Sequence, residues 1–314
     1  MILCCGEALI DFVPLADMRA YRPCPGGSVF NIAVGLGRLD TPVGFFCKVS
    51  CDFFGDQLVD YLHQNGVDTD FCPRAPGATT LAFVSLPDEG HKEPQFLFYA
   101  NDTVDRNLNV ADLPPRLPDD IKALHFGSIS LVMEPGATSL ETLMKRESGK
   151  QIISLDPNIR PGIITNKNTY RNRFEKWVEL VDILRLSLAD LAWLYPNVGV
   201  ENLIQRWFSQ GISLCILTKG AEGATGYTAD GIVASASPPQ VEVADTVGAG
   251  DTFLAAALTF LHQENVLYQR EKLRDLSEDQ MTKCLAYANQ AAAINCSRRG
   301  ADPPYAHEME NSAN

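Results

Sequence analysis

Short apolar runs that stop at polar, Gly or Pro residues recur along this chain: Ile2 to Cys5, Val43 to Val49, Ala123 to Ile129, Gln151 to Leu155, Asp182 to Leu186 and Ser213 to Leu217. Runs this short and this continuously apolar read as buried strands. Helical patterns separate most of them, at Phe54 to Asn65, Pro135 to Glu147, Thr169 to Leu180, Ala189 to Leu194 and Val200 to Gln210. Strand and helix alternating in this way predict a doubly wound, mostly parallel sheet. A chain of 314 residues can bury that sheet as one large α/β domain with at most a small appendage.

Two stretches interrupt the alternation. Phe12 to Pro25 and Thr79 to Tyr99 carry strand-like patterning with Pro and Gly punctuation and no crossover helix. Leu81 to Leu86 and Gln95 to Tyr99 are expected to pair around Asp88-Glu89-Gly90, giving a small sheet that projects from the main one. Such an element can close over a ligand or meet a second copy of itself. The polar segment from Ala306 to Asn314 is expected to fray.

Charge narrows the partners. With 39 acidic against 26 basic residues the formal net charge is −13, and no Lys/Arg-rich run is present, which argues against nucleic acid and anionic membranes and for small polar substrates. The N-terminal residues have neither a basic region nor a long apolar stretch, and no later run is long enough to span a bilayer, so a cytoplasmic protein is expected. Nine scattered cysteines, an odd number, read as reduced core thiols. Neither Cys4-Cys5 nor Cys47 with Cys51 has a downstream partner at zinc spacing.

The chemistry concentrates in Asp245-Thr246-Val247-Gly248-Ala249-Gly250-Asp251-Thr252-Phe253, which feeds the apolar run Leu254 to Leu258. Gly248 and Gly250 can adopt backbone angles closed to other residues, so successive N–H groups can converge on an anion at a helix N-terminus. Asp251 then stands where a carboxylate takes a proton from a substrate hydroxyl, and the helix dipole favours its ionised form. Taken alone, Asp251 reads equally as a helix cap. A second glycine-rich turn opening a helix, Pro25-Gly26-Gly27-Ser28-Val29-Phe30-Asn31 and onward to Leu39, suggests two ligands.

These two elements resemble the signatures of the PfkB, or ribokinase-like, sugar kinases, and the similarity spans nearly the whole chain. Further pieces match in order: Gly6-Glu7-Ala8-Leu9-Ile10-Asp11-Phe12, Asp156-Pro157-Asn158-Ile159-Arg160-Pro161, Thr218-Lys219-Gly220-Ala221-Glu222-Gly223 and Asn289 to Ala293. The resemblance implies a three-layer α/β/α main domain from residues 1–11, 26–78 and 103–305, a β-sheet lid from 12–25 and 79–102, and a polar tail from 306–314. It implies that Asp251 is the base for a sugar hydroxyl and that the amides of Gly248, Ala249 and Gly250 hold the transferred phosphoryl group. Asp11, Gly26, Gly27, Asn31 and Phe98 would contact the sugar, and Arg160 the phosphate or the lid. Asp11 also reads as a strand-end turn residue and Asn31 as a helix-capping one.

For ATP, the resemblance points to Thr218, Lys219 and Gly220 near the phosphates, Gly223 in the following turn and Asn289 beside the adenine; Lys219 also reads as a solvated loop residue. Where many relatives carry Asn-x-x-Glu, this chain has Ser187-Leu188-Ala189-Asp190, so Asp190 either orients Mg²⁺ through water or serves its helix N-terminus. Asp245 and the segment at Arg298-Arg299-Gly300 resemble a monovalent-cation site, which implies K⁺. Ala100 stands after Tyr99 where relatives acting on sugar acids place an arginine, and a neutral sugar is favoured. The most similar members are bacterial fructokinases, and a homodimer through the lid is expected. A non-catalytic sensor on the same fold is the rival reading. A Walker A loop is absent, and Gly35-Leu36-Gly37 lacks the third glycine of a dinucleotide turn.

Overall fold

The computed structural model describes residues 1–15, 20–85 and 95–311. The first strands are β1 (Ile2–Cys5), β2 (Leu9–Pro14) and β3 (Tyr21–Gly26), followed by helix α1 (Ser28–Arg38). Next come β4 (Val43–Phe46), β5 (Val49–Ser50), α2 (Phe53–Gln64), β6 (Arg74–Ala75), β7 (Thr80–Ser85) and β8 (Gln95–Tyr99). The chain then alternates through β9 (Ala123–Gly127), α3 (Gly136–Glu147), β10 (Ile152–Asp156), α4 (Lys167–Val178), β11 (Ile183–Ser187), α5 (Leu188–Leu194), α6 (Val200–Ser209) and β12 (Leu214–Thr218). It closes with β13 (Ala224–Thr228), β14 (Val233–Ala236), α7 (Ala249–Gln263), α8 (Arg270–Arg274), α9 (Glu278–Cys296) and α10 (Ala306–Asn311).

The main sheet runs β14-β13-β12-β11-β10-β9-β1-β4, parallel except at the β12–β13 and β13–β14 pairs. Successive strand residues face opposite layers. Ile2 and Cys4 of β1 join a core with α1, α2, α7 and α9, whereas Leu3 and Cys5 join one with α3, α4, α5 and α6. Burial on both faces explains why these strands are apolar without alternation. Every sheet strand expected from an apolar run is present. The run Val43 to Val49 is divided, however, because β5 leaves the main sheet to pair with β6.

The second sheet has the order β3-β2-β7-β8. β7 and β8 pair antiparallel, Ala82 opposite Phe98, as expected; their predicted turn at Asp88-Glu89-Gly90 lies outside the described residues. This sheet begins earlier than Phe12, since β2 starts at Leu9 and carries Asp11 opposite Cys24 of β3. Ala306–Asn311, expected to fray, is instead the helix α10: Met309 is only 4% exposed, and its carbonyl accepts a hydrogen bond from Gln290 Nε2. One apolar side chain and a backbone bond outweigh the polar composition there.

Gly35 and Gly37 serve packing. A Cβ on Gly35 would lie 2.7 Å from Ala255 Cβ of α7, and one on Gly37 only 2.0 Å from the backbone oxygen of Asn65 at the end of α2. Alanine would gain about 1 kcal/mol of helix propensity at position 37, but the clash is with backbone and has no flexible end to yield. Gly37→Ala is therefore expected to destabilise the protein by roughly 2–3 kcal/mol, read as a lower midpoint in urea unfolding.

Candidate active site

Ligands in open α/β sheets bind beyond the carboxyl ends of the strands. Here a cleft of about 680 Å³ lies among Glu7 after β1, Ile159 to Ile163 after β10, the N-terminal turns of α1 and α7, and Phe96 and Phe98 of β8. Asp11, Gly27, Asn31, Phe98, Arg160, Gly248, Gly250 and Asp251 all line it, so the cleft brings together most of the residues expected at a sugar and its phosphoryl group.

Asp251 sits in the first turn of α7, 6% exposed. Ser28 Oγ donates to its Oδ1 at 2.7 Å, Asn158 Nδ2 to the same oxygen at 3.3 Å, and Asn31 Nδ2 to Oδ2 at 2.9 Å. Asn31 thus meets the carboxylate directly. Burial pushes the Asp251 carboxyl above its usual range, while the bonds from Asn31 and Ser28 and the charges of Arg160 and Arg185 pull it back. The helix dipole expected to favour the ionised form does not decide the balance alone: desolvation outweighs the bonds and charges that favour the anion.

The two glycines of the turn do different work. Gly248 adopts φ 75, the left-handed region, as the N-cap of α7. Gly250 has no such angle; a Cβ there would lie 3.0 Å from both terminal nitrogens of Arg185, so its missing side chain makes room for a guanidinium. Arg185 is buried, donating from Nη1 to Asp156 Oδ2 at 2.8 Å and from Nη2 to Thr218 Oγ1 at 2.6 Å. The Ala249 amide donates to Thr246 O at 3.2 Å, and Ala249 is not among the residues lining the cleft. Gly248 and Gly250 carry the turn's exposure to a ligand.

Asp11 lies on β2 against Gly26, where any Cβ would fall 2.2 Å from its Oδ2. Burial, then the nearby charge of Asp251, pushes the Asp11 carboxyl up to about 7, against the pull of Arg160. Gly27, at φ 111, lets the chain enter α1 beside Glu7, whose Oε1 accepts from Ser28 N at 2.8 Å and Val29 N at 3.4 Å. Arg160 lies over the Phe96 ring at 5.5 Å and donates to Asn158 Oδ1 at 2.6 Å.

The residues expected at the nucleotide lie outside this cleft's lining and form a second group. Lys219 N donates to Gly223 O at 2.7 Å across the β12–β13 turn, with Gly220 at φ 59 and Gly223 at φ 88. A Cβ on Gly223 would meet Ala236 O at 2.1 Å, and Asn289 Nδ2 donates to that same oxygen at 2.8 Å. Thr218, bonded to Arg185, links this group to the cleft. Asp190 forms a capping box at α5: Oδ2 accepts from Ser187 N and Oγ, and Oδ1 from Ile159 N at 2.8 Å. Asp245 Oδ1 accepts from Val247 N and Oδ2 from Gly300 N at 2.9 Å, tying the two loops together. Among the described residues no group of three or more His, Cys, Asp or Glu is placed to hold a metal, and no helix is long and apolar enough to cross a membrane.

Glu7, Ser28, Asn158, Phe96 and Arg185 join the site without a role that the motifs alone reveal. Arg185 had a visible signal, a lone cation inside the buried run Ile183-Leu184-Arg185-Leu186. Ser28 and Asn158 had none, because their meeting with Asp251 joins positions 223 and 93 residues apart.

A doubly wound sheet, a glycine-opened helix with a carboxylate at its mouth and a second glycine turn beside an asparagine define a small-molecule kinase of the ribokinase-like class. Residues 1–308 match the pfkB family carbohydrate kinase. The chain is 42% identical over 274 residues to a fructokinase of Rhizobium leguminosarum bv. trifolii, covering 86% of this chain and 82% of that one. In structure it is similar to a fructokinase with bound ATP from Xylella fastidiosa, with a TM-score of 0.88 at 28% identity over 100% and 99% of the two chains. It is also similar to a fructokinase from Vibrio cholerae O395 holding fructose, ADP and calcium, with a TM-score of 0.81 at 26% identity over 96% and 94%. The chain belongs to the pfkB family of carbohydrate kinases.

Glu7 supplies a test of the site's electrostatics. Burial raises its carboxyl from 4.5 to about 7 despite bonds from Ser28 and Val29 amides. The native state then holds a proton that the unfolded chain releases, so this contribution to stability is complete below pH 4.5 and is lost as pH rises to about 7. Glu7→Gln keeps an acceptor for the α1 amides and removes the charge. The fall in unfolding free energy across that interval is expected to shrink by on the order of 3 kcal/mol in the variant; equal pH dependence in both proteins would contradict the assignment.

Proposed function

We propose that this protein transfers the γ-phosphoryl group of ATP to D-fructose, giving fructose 6-phosphate and ADP. The observation that carries the reading is the buried Asp251 carboxylate, in a cleft also lined by Asp11, Asn31 and Arg160, at the glycine-opened N-terminus of α7, in a chain 42% identical to a fructokinase. The sugar lies against Asp11, Gly26, Gly27 and Phe98, with its primary hydroxyl at Asp251. Asp251 takes the hydroxyl proton as the sugar oxygen attacks the γ-phosphorus and the bond to the β-phosphate oxygen breaks, releasing ADP. The Gly248–Gly250 turn and Arg160 meet the charge on the transferred group, with the Ala249 amide completing the turn. Positioning and charge stabilisation supply most of the acceleration.

The nucleotide occupies the β12–β13 turn, with its phosphates toward Thr218, Lys219 and Gly220 and its adenine between Gly223 and Asn289. Mg²⁺ enters as MgATP: Asp190 has both oxygens hydrogen-bonded and 6% exposure, which suits contact through water rather than direct ligation. A K⁺ ion at the Asp245 and Gly300 loops would order the turn that precedes Asp251.

The small sheet acts as the lid. Phe96 and Phe98 face the cleft, while Leu97 and Tyr99, each 59% exposed, point outward with Tyr21 and Phe83. An exposed aromatic face of this kind fits a second copy of the chain. Sedimentation velocity is expected to give a dimer that Leu97→Lys with Tyr99→Lys converts to monomer; a monomeric wild-type protein at micromolar concentration would rule the interface out.

The activity is tested by ADP release from MgATP with fructose, ribose, glucose, adenosine and 2-keto-3-deoxygluconate offered separately. Fructose is expected to be turned over fastest, and Asp251→Asn to lose roughly 100-fold to 10,000-fold in kcat with sugar binding retained. Preference for another acceptor moves the substrate; turnover of none would favour a sensor.

A further inference from the structure

The Asp251 carboxylate is surrounded by charge. Asp11 comes from β2, Asp156 from β10, Arg185 from β11 and Arg160 from the loop after β10, while Glu7, just past β1, lines the same cleft and acts on Asp11. The Asp11 and Asp156 carboxylates oppose ionisation of Asp251, and the two cations support it. Against this background the direct contacts are uneven. Oδ2 has Asn31, whereas Oδ1 has both Ser28 Oγ at 2.7 Å and Asn158 Nδ2 at 3.3 Å.

Ser28 and Asn158 also hold each other. Asn158 Nδ2 donates to Ser28 Oγ at 2.7 Å, which leaves the Ser28 hydroxyl proton for Asp251. The Asn158 amide is oriented from its other side, since Oδ1 accepts from Arg160 Nη1 at 2.6 Å. Its backbone takes φ 36, a left-handed angle that asparagine tolerates better than most residues, with its N–H on Asp156 Oδ1 at 3.1 Å. The Ser28 backbone is fixed in turn by Glu7, which accepts its N–H at 2.8 Å. A strained loop, a helix start and a buried carboxylate thus converge on one oxygen.

We propose that Ser28 and Asn158 are positioning residues for phosphoryl transfer, clamping Oδ1 of Asp251 so that its carboxylate presents Oδ2 to the acceptor hydroxyl. The inference rests on Asp251 being the base. Both donors bond best to the charged carboxylate, so the clamp also opposes the rise that burial imposes on its proton affinity. A serine that merely began α1 would influence folding and leave the titration of Asp251 alone.

The test compares wild type, Ser28→Ala and Asn158→Gly, the glycine accepting the left-handed angle without strain. Carboxyl ¹³C NMR, with the Asp251 signal assigned through Asp251→Asn, follows its titration directly, and kcat with MgATP and fructose is measured against pH. Ser28→Ala is expected to raise the Asp251 midpoint by about one unit and to carry the acid limb of kcat with it. Near neutral pH kcat falls about tenfold while KM for fructose changes little. Asn158→Gly is expected to shift both readouts in the same direction. An unmoved midpoint in both variants, or a loss confined to KM, overturns the proposal. If wild type phosphorylates no acceptor, the proposed function fails, and the carboxyl titration still decides whether the clamp exists.

Discussion

A buried guanidinium organises the strand ends beneath the cleft. Arg185 projects from the middle of the parallel sheet into the interior, and an unpaired charge there would cost several kcal/mol. Asp156 of the neighbouring strand and the Thr218 hydroxyl of the next compensate it, which binds the carboxyl ends of β10, β11 and β12 into one unit. The same guanidinium packs on Gly250, so the first turn of α7 approaches as closely as a missing side chain allows. Its charge reaches Asp251, partly offsetting the desolvation that α7 imposes on its own carboxylate. Burial still leaves Asp156 pushed up to about 6, so the pair is an organiser of the site more than a source of stability.

Local chemistry was legible in the sequence and long-range chemistry was not. Apolar runs and helical periods located the parallel strands because burial on both faces writes itself into consecutive residues. The glycine turn before Asp251 stood out for the same reason: the motif and the structure it forms are contiguous. Gly250 was legible as a glycine but not for its actual reason, since the Arg185 side chain it accommodates comes from 65 positions earlier on another strand. The antiparallel pair β13–β14 carried too little apolar periodicity to be noticed, with Val233 exposed and Ala234 the buried residue. α10 is not legible in composition, because one buried Met309 among polar residues leaves no pattern.

The small sheet has two faces with opposed demands. Alternation along β8 sends Phe96 and Phe98 toward the cleft and Leu97 and Tyr99 away from it, so a single strand serves both ligand and outer surface. Ala82, opposite Phe98, is small and fully buried, and it packs with Leu9 and Ile129 at the base of the cleft. Phe83, one residue on, turns outward to stack on Phe12 at 4.8 Å. Any movement of the sheet therefore displaces the aromatic wall of the cleft and the outer aromatic face together. Arg160 sits at that boundary, over Phe96 on one side and bonded to Asn158 on the other.

That placement connects the small sheet and the Asp251 carboxylate through contacts rather than through proximity. Phe96 touches Arg160, Arg160 orients Asn158, and Asn158 meets both Ser28 and Asp251. Arg160 reaches the Asn158 side-chain oxygen through Nη1 alone, so an anion that drew the guanidinium away from that oxygen would release the Asn158 amide. The Asp251 carboxylate is thus held by residues whose contacts run on to the small sheet. Separate elements share the work because a single glycine turn can present backbone amides to a phosphate but cannot also fix the rotamer of its own carboxylate. The helix that starts at Ser28 and the loop that follows β10 supply that second constraint from outside the motif.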